Sequence, residues 1–564
     1  MKFEEFPLRI PNVKSIEGKI KVLVDELNNA TDEKVALKVV KKFFKLTDVI
    51  ETNTTVISIR NSIDTTDKKY EKAMAKVDEV GPVLSSYSQA FDKALLSSKY
   101  RNYLEEKIGK HYFDMAESSL KCFDEKIIPE CIEENKLVTQ YEKLMASAKI
   151  EYKGETLNLS QMGKYLSDKD RDTRIEAAKL SFGFIEEHDK EFGEIYDKLV
   201  KVRTKMAQKM GYKNYVDFGY LRLGRLDYNA EMVKGYREQI KEDVVPEVSK
   251  LRKRQSKRIG IKNPIFIDYN LEFNTGNAKP IGDSSFLVKQ AQKMYHDMSE
   301  ESGKFFNFMI DNNLMDLDAK AGKRGGGYMT YMPKYKAPFI FANSNGTSQD
   351  VDTLTHEVGH AFQGYLGSKI MVPSYRMPTL EACEIDSMSM EFFAYPYMTD
   401  FFGTQADKYR FSHLSGAISF LPYGVEVDDF QHWVYEHPEA THEERCAYWA
   451  KIDKEYRPWM NYDGFPYLAS GHQWIRQSHI YAVAFYYIDY TLAQVLALQF
   501  KCEMDKDREK AWKKYIKLLK MGGKYPFLEL IEKAHLRNPF ISGNVKKVIK
   551  PQMKILNQTD DSKF

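Results

Sequence analysis

The sequence has few cysteines, and their arrangement excludes a disulfide-stabilised secreted domain. Five occur in 564 residues, an odd number, and they are scattered without a CxxC pair. This usage is typical of a reducing compartment. The first residues contain acids and Pro7 where a secretory signal requires an uninterrupted apolar segment. We therefore predict a cytoplasmic protein without an export signal.

An excess of charge of one sign is also missing. The 84 basic and 81 acidic residues give a formal net charge of +3, which provides no strong field to attract nucleic acid. The basic run at 251–258 stands alone and is interpreted as a solvated helix face. Glycine and proline, 31 and 19 residues, are too few for a fibrous or low-complexity chain. These counts predict a globular protein without a nucleic-acid partner.

No long hydrophobic run is present that would span a bilayer. The closest approach is the stretch 480–500, which contains Asp489, Thr491 and Gln494. Polar groups at these depths are costly in lipid, so we interpret the stretch as a buried helix. No membrane partner is expected.

Two segments of the chain differ in composition and in the spacing of their apolar residues. Residues 15–310 are rich in Lys, Glu, Leu and Val at helical spacing, which predicts long amphipathic helices. From Gly322 to Gly346, aromatic and β-branched residues alternate with Gly, Pro and Asn, which predicts a small antiparallel sheet at about 322–346. Its edge could bind an extended peptide by main-chain hydrogen bonds. We divide the chain into an N-terminal helical domain, 1–150, and a helical catalytic domain, 151–564.

The residues 356–360 read His-Glu-Val-Gly-His and carry the clearest chemical signal. On a helix, His356 and His360 lie one turn apart on one face, so both imidazoles can reach one metal ion. Glu357 then stands beside the ion as a general base that activates water. Accidental occurrence of this pattern is expected about 0.04 times at these residue frequencies. Eight of the twelve histidines lie between 356 and 479, which indicates a site.

A catalytic zinc needs a third protein ligand. Glu381, Glu384 and Glu391 follow on one predicted helix, and their spacing does not choose among them. Cys383 is a conceivable soft ligand, but a buried thiol is the favoured interpretation. Farther on, His479 precedes a tyrosine-rich segment whose hydroxyls could stabilise an oxyanion or could simply pack in the core.

At these residues the chain resembles the M3 family of zinc oligopeptidases, in particular the oligoendopeptidase F branch and its Pz-peptidase type. The similar segments are 322–328, 337–340, 350–362, 384–391, 421–432 and 479–490. The resemblance implies one zinc ion bound by His356, His360 and Glu384, since Glu384 opens the family pattern Glu-x-x-Ser-x-x-x-Glu.

The same resemblance assigns roles around the metal. Glu357 is implied as the general base, and His479, Tyr487 and Tyr490 as the group that stabilises the transition state. The adjacent Tyr486 leaves the choice within the tyrosine pair open. Asp352 and Glu391 are candidates for carboxylates that orient the ligand histidines, with ordinary surface carboxylates as the alternative.

The fold implied by the resemblance is mainly α, with a deep substrate channel, the small sheet beside the metal-binding helix, and N-terminal helices closing over the channel. The expected function is zinc-dependent endopeptidase action on short unfolded peptides. One alternative is an exopeptidase of the dipeptidyl carboxypeptidase kind on the same scaffold. Another is a peptide-binding protein without turnover, against which the intact Glu357 argues. The oligomeric state is left open.

Overall fold

The computed structural model describes residues 1–564 and consists almost entirely of helices. The helices of the N-terminal part are α1 (Val13–Asn28), α2 (Glu33–Ile63), α3 (Lys68–Leu96), α4 (Arg101–Ile108), α5 (Lys110–Cys122) and α6 (Ile128–Ala146). A short hairpin follows, formed by β1 (Ile150–Tyr152) and β2 (Glu155–Leu157).

The helices between this hairpin and the second sheet are α7 (Leu159–Leu166), α8 (Arg171–Glu187), α9 (Asp189–Lys209), α10 (Tyr215–Arg222), α11 (Ala230–Asp243), α12 (Val245–Arg258), α13 (Ser284–Met298) and α14 (Glu300–Asp311). The second sheet contains β3 (Met315–Asp318), β4 (Tyr328–Met332) and β5 (Ala337–Ser344). The helices after it are α15 (Gln349–Gly367), α16 (Leu380–Phe393), α17 (Met398–Phe402), α18 (Ala406–Glu436), α19 (His442–Tyr456), α20 (Pro466–Ala469), α21 (Ser478–Ala482), α22 (Tyr487–Met504), α23 (Arg508–Met521), α24 (Phe527–Lys533) and α25 (Asn544–Gln558).

The N-terminal helices have their own small core, which residues from later in the chain complete. Asp32 caps α2 by accepting hydrogen bonds from the backbone amides of Lys34 and Val35. Tyr375 is buried in this core, and its hydroxyl accepts a hydrogen bond of 2.6 Å from the backbone N–H of Tyr112. The N-terminal helices are thus attached directly to the segment between α15 and α16. A domain boundary near residue 150 stays a prediction.

The second sheet differs in one respect from the expected antiparallel pair. Strands β4 and β5 are antiparallel, as expected, and lie within the predicted range. The third strand, β3, precedes that range and pairs in parallel with β5, so the strand order is β3-β5-β4. Its sequence, Met-Asp-Leu-Asp, has no β-branched or aromatic residue, and it therefore gave no strand signal.

A buried lysine fixes the glycine-rich loop between β3 and β4. The Lys323 ammonium donates to the Asp316 carboxylate at 2.6 Å and to the carbonyl oxygens of Asp318 and Ala342. With its charge paired and its donors satisfied, this ammonium can be buried. The loop is thereby held against the sheet, and it delivers Gly327 to the side of α15, where a Cβ would come within 3.0 Å of the Thr353 side chain.

Helix α22 covers most of the apolar stretch 480–500, and it lies in the middle of the core. Nearly every residue from Ile488 to Lys501 is buried, and α16 and α18 pack against it. Its burial from all sides explains why it is apolar around its whole circumference. The structure contains no helix with the length and apolar character required to cross a bilayer.

Helices α15 and α16 approach each other closely at Gly359, inside the His-Glu-Val-Gly-His segment. A Cβ at Gly359 would lie 2.7 Å from Ser387 Cα and 2.8 Å from the carbonyl oxygen of Asp386. Both of these atoms belong to the backbone of α16, so no side-chain rotation could make room. Only glycine therefore permits this helix spacing, which places residues of α16 beside the two histidines.

We predict that Gly359→Ala separates α15 from α16 and lowers the free energy of unfolding by about 1–3 kcal/mol, the usual cost of overpacking. Metal binding should weaken as well. Chemical denaturation and metal titration measure the two effects. The control is Gly183→Ala in α8, where no atom lies within 4 Å of the added methyl group, so stability should be unchanged or slightly increased. Equal behaviour of the two variants would contradict the role of Gly359.

Candidate active site

Helices α15 and α16 bring three candidate metal ligands together. His356 and His360 occupy one face of α15, whose opposite face buries Val351, Leu354 and Val358. Glu384 Oε2 of α16 lies 3.1 Å from His356 Nε2 and 3.4 Å from His360 Nε2. Donors bound tetrahedrally to one zinc ion, with bonds of about 2.0–2.1 Å, lie about 3.3–3.5 Å apart. The three residues therefore fit the donor set of a catalytic zinc site.

The structure separates Glu384 from the other candidates on the same helix. The Glu381 carboxylate lies on a different side of α16, beside Arg225 and Tyr228. The Cys383 thiol faces the carbonyl oxygen of Pro378 at 3.6 Å, and burial raises its pKa well above the ordinary value. Neither belongs to the group of donor atoms that lie within 4.8 Å of one another.

Glu391 orients His356. Its Oε1 lies 2.7 Å from His356 Nδ1, and its Oε2 lies 2.7 Å from His413 Nε2. Because a carboxylate only accepts, Nδ1 of His356 carries a proton, which leaves Nε2 as the ring atom that would bind a metal. Asp352, the other candidate, accepts instead from the Tyr409 hydroxyl and lies 4.0 Å from His413. The role of His413 was not anticipated, since it lies 22 residues beyond Glu391.

The electrostatics of the group favour a bound cation. Burial lowers the pKa of His356, but Glu384 and Glu391 raise it well above its ordinary value. Burial opposes ionisation of Glu384, yet the two histidines hold its pKa well below the ordinary value. Together the two carboxylates stabilise positive charge here, which is a proton on His356 in the absence of metal and would be the metal ion when one is bound.

Glu357 has an unused oxygen atom. The residue is only 6% exposed, and its Oε2 is buried without a hydrogen-bond partner. Gly327 lies beside it, since a Cβ there would be 3.6 Å from Oε1. Burial raises the pKa of this carboxyl group, against the opposing effect of the two histidines, which makes it a better proton acceptor. A polar atom left free in such a place is available to water or substrate.

A chain of hydrogen bonds positions His479. The Tyr423 hydroxyl donates to Gln477 Oε1 at 2.8 Å, and Gln477 Nε2 lies 2.8 Å from His479 Nδ1. Nδ1 therefore accepts and Nε2 carries the proton, which points to the Tyr490 hydroxyl at 3.2 Å. Burial lowers the pKa of His479 to about 4, so the ring is neutral at pH 7. A neutral ring can orient Tyr490 without adding charge to the site.

The two adjacent tyrosines occupy different places. The Tyr486 hydroxyl donates to Glu384 Oε1 at 2.6 Å, and Ser387 Oγ donates to Glu384 Oε2 at 3.0 Å. Tyr487 instead packs against Phe420 and the ring of His479, and it lines the cavity next to Tyr490. The sequence could not assign these directions. Phe485 has a left-handed backbone with φ of +66°, so the side-chain directions of the residues before it do not continue with helical spacing into α22.

Three neighbouring cavities form a groove past the first turns of α15. The first, of about 450 Å³, is lined by Glu391, His413, His479, Tyr487 and Tyr490 among others. The second, of about 320 Å³, shares Gln349 with it and reaches Gly326 and Gly327. The third, of about 250 Å³, shares Gly326 with the second and ends near Arg476.

Comparison with known proteins agrees with this geometry. Residues 3–123 match the Peptidase M3 N-terminal domain, and residues 164–548 match Peptidase family M3. The solved structure of Pz peptidase A with an inhibitor has a TM-score of 0.98 to this one, with 46% sequence identity over 100% of both chains.

Two curated proteins are also similar over shorter segments. The oligoendopeptidase F homolog of Borreliella burgdorferi is 27% identical over 252 residues, 41% of each chain. The chromosomal oligoendopeptidase F of Lactococcus lactis subsp. cremoris is 30% identical over 95 residues, which are 17% of this chain and 14% of that protein. The chain thus aligns with less than half the length of these curated relatives. The predictions of a metallopeptidase and of a mainly helical fold are confirmed. Because the family match covers more than half of its length, this chain belongs to peptidase family M3.

Proposed function

We propose that this protein is a zinc-dependent oligoendopeptidase that hydrolyses internal bonds of short, unfolded peptides. One observation carries the proposal: a partly buried set of two histidines and one glutamate stands beside a glutamate oxygen that has no partner. Three protein ligands leave one position open, as catalytic zinc sites do, whereas structural sites are closed by four.

His356, His360 and Glu384 would hold the zinc ion. When bound there, zinc supplies Lewis acidity, which polarises the scissile carbonyl group and makes a water molecule more acidic. Glu391 keeps His356 in the tautomer that can bind a metal, and Tyr486 and Ser387 hold the Glu384 carboxylate. These residues act through the ligands and are positioning residues.

Glu357 is the proposed general base. Its free Oε2 accepts a proton from the attacking water, and the same carboxyl group then passes that proton to the nitrogen of the leaving amine. The raised pKa that burial gives this group suits both steps, because the carboxylate accepts readily and the acid form is not too weak a donor.

His479, Tyr487 and Tyr490 are proposed to stabilise the negative charge that develops on the carbonyl oxygen. All three line the largest cavity of the groove. Hydroxyl donors that are already oriented in a buried site need no reorganisation during the reaction. The hydrogen bond from His479 to Tyr490 leaves the Tyr490 proton free for the substrate.

The substrate lies, in this proposal, along strand β4. This strand is at the edge of its sheet and pairs with β5 on one side only, and the residues that lead into it, Gly326 and Gly327, line the second cavity. The candidate ligands are recessed, with side-chain exposures of 19% for His356, 11% for His360 and 4% for Glu384, so a folded surface would not reach them. A cytoplasmic location stays part of the proposal, supported by five unpaired cysteines.

We predict that the purified enzyme cleaves short peptides whose two termini are both blocked, and that Glu357→Gln lowers kcat/KM by about 10²–10⁴-fold, the typical contribution of a general base. Zinc content should stay unchanged. Mass spectrometry of the products and metal analysis of both proteins give the answer. A requirement for a free C-terminus would favour the exopeptidase alternative. Tight binding without cleavage by the wild type would favour a peptide-binding protein.

We also predict that Tyr487 and Tyr490 act in catalysis, whereas Tyr486 acts on metal affinity. Tyr490→Phe and Tyr487→Phe should lower kcat, by about 10²–10³-fold where the hydroxyl is a direct oxyanion donor, with unchanged zinc affinity. Tyr486→Phe should lower zinc affinity about 10–100-fold, because it removes a hydrogen bond from Glu384. Steady-state kinetics and competition with a metal chelator separate the effects. Unchanged zinc affinity in Tyr486→Phe, or full activity in Tyr490→Phe, would contradict these assignments.

A further inference from the structure

A second cluster of metal-binding side chains lies outside the proposed active site. His442 and Cys446 are one turn apart on α19, and His472 begins the short 3₁₀ helix His472–Arg476. Their donor atoms all lie within 4.8 Å of one another. Asp189, the first residue of α9, completes the group from a distant part of the sequence. No residue of the cluster takes part in the chemistry described above.

The distances within the cluster resemble those around one ion. Asp189 Oδ1 lies 3.2 Å from His442 Nε2 and 3.8 Å from His472 Nε2. Cys446 Sγ lies 3.9 Å from His442 Nε2. Donors bound tetrahedrally to zinc through bonds of about 2.0–2.3 Å are about 3.3–3.7 Å apart. A small contraction would therefore bring His442, Cys446 and His472 into one coordination sphere, and a shift of the Asp189 carboxylate would add the fourth donor.

Surrounding groups orient His472 and Asp189, whereas His442 Nδ1 is buried without a hydrogen-bond partner. His472 Nδ1 lies 3.0 Å from the carbonyl oxygen of Tyr467, so Nδ1 carries the proton and Nε2 faces the cluster with its lone pair. The Tyr467 hydroxyl donates to Asp189 Oδ1 at 2.7 Å. Gly193, one turn after Asp189, makes room for the His442 ring, since a Cβ there would lie 3.0 Å from Nδ1.

The burial of the four side chains also fits a metal site. Cys446 is 2% exposed, which shields its thiol from the large electrophiles that a reactive cysteine must meet. The Asp189 side chain is 27% exposed and forms the open rim through which an ion could enter. The donors come from three separate segments, so a shared ion would crosslink them.

We propose that Asp189, His442, Cys446 and His472 bind a structural zinc ion, distinct from the catalytic one. Four protein ligands close the coordination sphere, which is the pattern of structural sites. The ion would tie α9 and α19 to the segment 472–476, which leads directly into Gln477 and His479. This second ion therefore fixes the point from which the proposed oxyanion-stabilising group is held.

Cobalt provides a direct test, because a cysteine sulfur bound to Co²⁺ gives a near-ultraviolet charge-transfer band. The proposed catalytic ligands are only nitrogen and oxygen, so they cannot produce this band. The full-length protein, produced in cobalt-supplemented and zinc-depleted medium, should contain two cobalt ions per chain and show the band. Cobalt bound without the band would overturn the proposal, and this readout needs no variant and no peptidase activity.

Matched variants assign the band to the cluster. Cys446→Ser should abolish the band and lose one of the two ions, whereas Cys131→Ser, another buried cysteine near no histidine, should keep both. His356→Ala should lose the other ion and retain the band. Retention of two ions and an unchanged spectrum in Cys446→Ser would overturn the proposal. It would leave the cluster as a hydrogen-bonded group without a metal.

Discussion

The close contact between α15 and α16 is the constraint on which the site depends. Each helix alone offers ligands on one face only, and a metal needs donors from both. Gly359 permits the backbones to approach until Ser387 Cα would be 2.7 Å from any added methyl group. At that spacing Glu384 reaches both histidines. Helix α22 packs against α16 and supports its position beside α15. The same helix places the Tyr490 hydroxyl next to His479.

The same contact brings several buried charged groups together. Hydrogen bonds from residues around the candidate ligands lower the free-energy cost of burying these charges. Glu391 is shared between His356 and His413, and the Tyr395 hydroxyl lies 2.7 Å from the other nitrogen of His413. Such a network pays the desolvation cost of the carboxylates by pairing each of them. Glu357 Oε2, in contrast, is buried without a partner. The fold thus satisfies the carboxylates that would hold a metal and leaves the proposed general base with a free oxygen atom.

Local sequence patterns predicted the helices and the candidate site residues. They did not predict which side chains of different helices point toward one another. The periodicity around His356 and His360 predicted a helix, and spacing alone could not separate Glu381 from Glu384, since the answer depends on which face of α16 meets α15. Tyr486 and Tyr487 were ambiguous because the turn at Phe485 sets their phase. Strand β3 lacked strand-forming residues. Nothing in the sequence indicated the cluster around Asp189 and His442, because these two residues are 253 positions apart and meet only in the folded chain.

The most direct test of the account is anomalous diffraction at the zinc absorption edge, from crystals of the zinc-loaded protein. We expect a peak bonded to His356 Nε2, His360 Nε2 and a Glu384 oxygen at about 2.0–2.2 Å, with an open fourth position facing Glu357. A peak bonded to Glu381 or Cys383, or a chain whose α15 and α16 carry no peak between them at full zinc loading, would contradict it.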